Sequence, residues 1–155
     1  MRYGRAAPTV LAVAGFAATV VGVYQGLLHV GPGYEGTIMT GWGGDLNHEE
    51  RLLVGLGAVG VGGAVATRRG RHLAAVPVAM GGVVLFYALR ATVHQVRNVP
   101  LYTETTTYGG DPVVFVLGAE PFLLVAAGLL FVGAGVAGWR RHADRPGDTG
   151  PSTAA

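Results

Sequence analysis

The chain has no cysteine, no lysine and a single serine, Ser152. Without cysteine there is no disulfide, thiolate zinc site, iron–sulfur cluster or thiol nucleophile. Without lysine there is no P-loop, and no G-x-x-x-x-G-K-[ST] sequence occurs. Ser152 stands in the polar tail PGDTGPSTAA, far from any strand–turn–helix setting, which removes serine hydrolase chemistry. The reading leans away from an enzyme. Charge is also scarce. Charged residues make up 13% of the chain, against about 25% in a soluble domain.

What is present is apolar. Hydrophobic residues reach 50% and glycine numbers 27 of 155 residues, with a mean hydropathy of +0.44. A membrane-spanning helix needs about 20 mostly apolar residues. Four stretches meet that need, over about residues 8–29, 50–67, 72–96 and 112–139. Pro8 suits a helix start, and Gly31-Pro32-Gly33 stops the first stretch. This stretch exceeds the apolar region of about 7–15 residues of a cleaved signal peptide, so it is expected to remain as a span. Asn47 or Asp45 is placed to cap the second, with Glu49-Glu50 at the positive end of its dipole. Pro77 falls in the second turn of the third stretch, and Pro121 inside the fourth, where a kink is expected. The fold class expected is an all-α membrane protein. Residues 1–145 form one antiparallel four-helix transmembrane bundle, and residues 146–155 a disordered cytoplasmic tail. The connections YEGTIMTGW and LYTETTTY have strand composition and are expected to pair as a small β cap.

Arginine marks the expected sidedness, because cytoplasmic flanks collect positive charge. Arg2, Arg5, Arg68, Arg69, Arg71, Arg140, Arg141 and Arg145 fall on one side of four crossings. Glu35, Asp45, Glu49, Glu50, Glu104 and Asp111 fall on the other. Both termini are therefore expected in the cytoplasm of a multi-pass cell-membrane protein. The net charge of +2 arises from these clusters and does not point to nucleic acid.

Lipid gives helices no hydrophobic reason to associate, so close contact through small residues takes over. Small residues recur every fourth position at Ala14, Ala18, Gly22 and Gly26, and at Ala58, Gly62 and Ala66. Gly133 with Ala137 and Ala134 with Gly138 repeat the spacing in the last span. These ladders are the expected helix contacts.

Ionisable groups at membrane depth are costly and face the bundle interior. Arg90 and Glu120 fall at similar depth on adjacent antiparallel spans, which predicts an ion pair between them. Gln25 and His29 continue the small face of the first span, and Tyr87, Arg90 and His94 share one stripe of the third. With Glu50 and Glu120 they make an outer-leaflet polar cluster of Gln25, His29, Glu50, Tyr87, Arg90, His94 and Glu120. That cluster reads either as a structural clamp or as a polar pocket for a proton, an ion or a quinone. His29 and His94 end two parallel spans and are the one pair that would flank a haem or divalent metal. No H-x-x-x-H, H-E-x-x-H or C-x-x-C-H motif accompanies them, and no cofactor is required by the sequence.

Spans such as LLVGLGAVGVGGAVATRRGR resemble those of the small, Gly/Ala/Arg-rich four-helix membrane proteins of GC-rich prokaryotes, particularly haloarchaea. The resemblance covers the whole chain and implies an integral membrane protein in the bilayer. The bundle is also similar in layout to DoxX-type four-helix proteins, from which no functional residue is carried over. The function expected is a structural or accessory subunit of a membrane complex, with other membrane subunits or further copies of itself as partners. The alternative is a small transporter or a quinone- or haem-linked redox subunit using the polar pocket.

Overall fold

The computed structural model describes residues 6–31, 47–98, 104–106 and 112–143. The first helix, α1, runs Ala7–Gln25 with a proline in its first turn. It ends at Gly26, whose φ of +73° is left-handed backbone that a side chain would strain. The chain then enters a short strand, β1 (Leu28–Val30). Helix α2 (His48–Ala66) opens with a capping box: the Asn47 side chain accepts from the Glu50 N–H, and the Asn47 N–H donates to the Glu50 carboxylate, both at 2.8 Å. A 3₁₀ turn at Arg71–Ala74 leads without a break into α3 (Ala75–Asn98), with buried Pro77 the third residue of α3. Strands β2 (Glu104–Thr106) and β3 (Pro112–Leu117) precede α4 (Glu120–Ala143).

Two expected spans are therefore shorter than hydropathy suggests. The first stops at Gln25 and not His29, and the fourth begins at Glu120 and not Pro112. In both places the missing residues are β-sheet. Leu28 pairs with Leu117 and Val30 with Phe115, while Glu104 pairs with Val114 and Thr106 with Pro112. The order is β1-β3-β2, antiparallel throughout. The run Val113-Val114-Phe115-Val116 is apolar enough to look like a span, but β-branched and aromatic residues favour a strand. The shift also removes the expected kink, because Pro121 lies in the first turn of α4. A small antiparallel cap exists as expected and uses part of LYTETTTY. The other expected strand, YEGTIMTGW, lies outside the described residues.

The four helices alternate up and down. One core cluster joins Val23 and Leu53 to Val84, Ala88, Leu124 and Ala127, taking the late part of α1 and α3 with the early part of α2 and α4. A second joins Ala12, Ala64, Phe131 and Ala134, early α1 with late α2 and α4. Helix α4 lies between α1 and α3 and packs most extensively against both, while α2 closes the ring on the far side. Phe131 is fully buried where the ring would otherwise be hollow. A Cβ on Gly60 would sit 2.7 Å from its ring, and one on Gly57 would sit 2.8 Å from the ring of Phe16. The glycines of α2 are the seats of these rings.

Small residues carry the closest approaches, on the faces the ladders pick out only in part: Gly22 of the first ladder meets Leu123 and Leu124 of α4. In α1 the buried small positions are Ala12, Gly15, Thr19 and Gly22, while Ala14 is exposed. In α2 they are Gly57, Gly60, Gly63 and Ala64, and a Cβ on Gly62 would meet nothing within 4 Å. Ala134 and Gly138 of α4 are buried as expected. Helices α3 and α4 touch backbone to backbone, since a Cβ on Gly81 would lie 2.6 Å from the Gly128 carbonyl oxygen. Buried hydroxyls are satisfied locally: Thr19 donates to the Gly15 carbonyl (3.0 Å) and Thr67 to that of Ala64 (2.7 Å).

Helix α1, the continuous helical stretch Arg71–Asn98, and α4 are each long and apolar enough to cross a membrane. Helix α2 has 19 residues, about 28 Å at 1.5 Å per residue, but carries Glu49, Glu50 and Arg51 in its first turn.

Candidate functional site

The polar side chains gather at the sheet end of the bundle. Here α1 finishes, α2 begins, α3 finishes and α4 begins, so four helix ends meet beneath the strands. Spacings of three and four residues put Tyr87, Arg90 and His94 on one stripe of α3. They line a cavity of about 350 Å³ with Leu27, Glu49 and Gln95. A second hollow of about 220 Å³ shares Glu49, Tyr87 and Arg90 and runs down toward Leu53 and Phe86. The predicted stripe of α3 is thus assembled as a wall.

Glu120 is the least accessible charged residue among those described, at 5% exposure. It is the first residue of α4, at the positive end of the helix dipole, a position that favours an acidic side chain. No hydrogen bond or ion pair to its side chain is found among the described residues. Every fully sealed side-chain nitrogen or oxygen among them has a partner. The Glu120 oxygens must therefore open onto accessible space. Glu50 lies within electrostatic range of Glu120, and Glu49, Glu50 and Glu120 all lie within range of Tyr87. The arrangement is one phenol among three carboxylates, with Arg90 and His94 at the rim.

The remaining expectations divide. Among the described residues no ion pair joins Arg90 to Glu120. Arg90 is exposed and Glu120 buried. The expectation assumed that Glu120 lay two turns inside a helix beginning at Pro112; those residues are strand, so Glu120 starts the helix instead. Glu50 is engaged as the reciprocal partner of Asn47, and Glu49, one residue earlier, lines the cavity. Recognising the capping box in the sequence would have exchanged the two roles. Gln25 is the last residue of α1, half-buried and outside the cavity wall. His29 lies in β1 opposite Val116, with its ring over Gly118, where a Cβ would sit 2.7 Å from the ring carbon Cδ2. His94 is exposed, with both ring nitrogens within 3.0–3.2 Å of the Asn98 side-chain nitrogen. Of the two histidines only His94 reaches the cavity, and no group of three metal-ligating side chains forms among the described residues.

The set contains no nucleophile–base pair. Its chemistry is that of acidic oxygens and a phenol, groups that hold cations or pass protons, beside a guanidinium that holds anions. Comparison with protein-family models, with curated proteins and with solved structures finds no match to this chain.

Proposed function

We propose that the chain is a four-span integral membrane protein, both termini cytoplasmic, that serves as a structural or accessory subunit of a membrane complex. The apolar outer surface carries this reading. Phe86 is 68% exposed, Phe122 67% and Leu89 65%. Residues of that kind are not left uncovered in water over so wide a surface. Helix α2 shares the pattern, with Leu52 and Val59 each 53% exposed on a face pointing away from the bundle. The short connection from Ala66 to Arg71 returns the chain directly into α3. A helix of this length, apolar outward and packed between two candidate spans, belongs in the same bilayer, with its charged first turn at the interface.

The accessory role accords with how little of the bundle is committed to chemistry. The polar groups gather at one end, while the middle is filled by Phe131, Leu124 and close glycine contacts. A second reading, a small transporter or redox subunit, is favoured by one observation: a buried Glu120 with no hydrogen bond or ion pair among the described residues, within electrostatic range of Glu50 and of Tyr87. Purification in mild detergent separates the two. A stoichiometric protein partner that survives washing supports the accessory role. A chromophore or extractable quinone bound without a partner contradicts it and supports the alternative.

A further inference from the structure

At the opposite, arginine-rich end, α3 and α4 leave an apolar groove of about 380 Å³ between them. Ala75, Val78 and Ala79 form one wall and Gly135, Val136 and Trp139 the other. Gly135 makes the floor, where a Cβ would run into Val78 and lie 2.6 Å from the Ala74 carbonyl oxygen. A cation stands beside the groove at Trp139. The Arg71 guanidinium lies over the Trp139 ring, its carbon 4.0 Å from the ring centroid. A guanidinium over an aromatic ring still has N–H donors to offer an anion, since it carries five of them.

An apolar slot that ends at a guanidinium seated over an aromatic ring has the outline of a lipid site. We propose that the groove holds an acyl chain of an anionic phospholipid, with the headgroup phosphate on Arg71. The proposal rests on the membrane-spanning reading. Charge complementarity selects the occupant. Another helix filling the slot would bury the Arg71 rim without supplying an anion, whereas an anionic lipid fills both parts. Basic pockets between helices on the cytoplasmic side are where such headgroups bind. Trp139 serves as the platform that holds Arg71 above the slot, and it is itself an interfacial residue type.

Trp139 also makes the test direct, because it is one of two tryptophans in the chain. In a Trp42→Phe protein reconstituted into vesicles, its fluorescence reports contact with brominated acyl chains. Brominated phosphatidylglycerol is expected to compete for the groove about fivefold better than brominated phosphatidylcholine with the same chains, the factor one added arginine supplies. Arg71→Gln should erase the preference and Arg71→Lys retain part of it. Ala79→Phe, which fills the slot, should lower quenching by both lipids. Equal quenching by the two lipids in the parent overturns the proposal, as does a preference that survives Arg71→Gln. Quenching indifferent to Ala79→Phe also overturns it and assigns the groove to a second copy or a partner helix. Absence of quenching by either lipid contradicts the membrane reading itself, a separate outcome.

Discussion

The two ends of the bundle are built from the same few residue types and differ in what fills the space between helices. Toward the arginine end α2 closes on α3 and α4, while the groove between α3 and α4 is apolar. A Cβ on Gly63 would lie 2.5 Å from Val76 and one on Gly138 3.1 Å from Thr67. The His142 Nε2–H donates to the Thr67 carbonyl at 2.6 Å, a bond that fixes the tautomer, since a carbonyl only accepts. At the sheet end Tyr87, Arg90 and His94 stand where small residues would otherwise let α3 approach its neighbours, and a cavity results. Glycine therefore sets closeness in this bundle, and long polar side chains set the opening. The polar cavity and the apolar groove thus lie at opposite ends of the helix axis.

Substitutions sharpen this contrast. The largest effect is expected at the junction of the halves. Phe131→Ala empties the fully buried seat against Gly60, and the loss should be about 3–5 kcal/mol by thermal or chemical unfolding in detergent. Phe122→Ala, on an exposed face, should fall within about 0.5 kcal/mol of the parent. Next comes Gly81→Val. It drives a side chain into the Gly128 backbone, which has no rotamer to yield, and should cost about 1–3 kcal/mol. Gly62→Val, with open space before it, should change the melting curve little. Third, Asn47→Ala removes the side-chain half of the capping box and should cost about 1 kcal/mol. The smallest effect expected is a coupling energy. A double-mutant cycle between Arg90→Gln and Glu120→Gln should give less than about 0.5 kcal/mol, as for residues that share no contact. A coupling of several kcal/mol would mean that the two charges meet in a buried pair after all.

Much of this layout was legible in the sequence, and the errors share one cause. The α2 cap, expected at Asn47 or Asp45 and found at Asn47, the stripe of Tyr87, Arg90 and His94, and the existence of a sheet rest on local signals, namely hydrogen-bonding chemistry, helical spacing and β-branched composition. The small-residue ladder finds the packing face of α1 at Gly22 but misses it at Ala14, where Gly15 meets α4, and misses it in α2. In water a buried face is apolar and an exposed one polar. In these helices both are apolar, so periodicity loses its contrast, and with 27 glycines several registers look alike. Hydropathy likewise merged Leu28–Val30 and Pro112–Leu117 into the spans, because a buried strand is as apolar as a helix. That merger carried Glu120 two turns too deep and produced the expected pair with Arg90.

The central claim is that α2 crosses the membrane with the other three helices. The chain lacks cysteine, so single introduced thiols report sidedness without background. A membrane-impermeant maleimide applied to intact cells is expected to label Thr106→Cys and to leave Gly4→Cys, Arg69→Cys and Ser152→Cys unlabelled until the cells are opened. If α2 lies on the outer surface, Arg69→Cys and Ser152→Cys will label from outside and Thr106→Cys will not, and the four-span account is wrong.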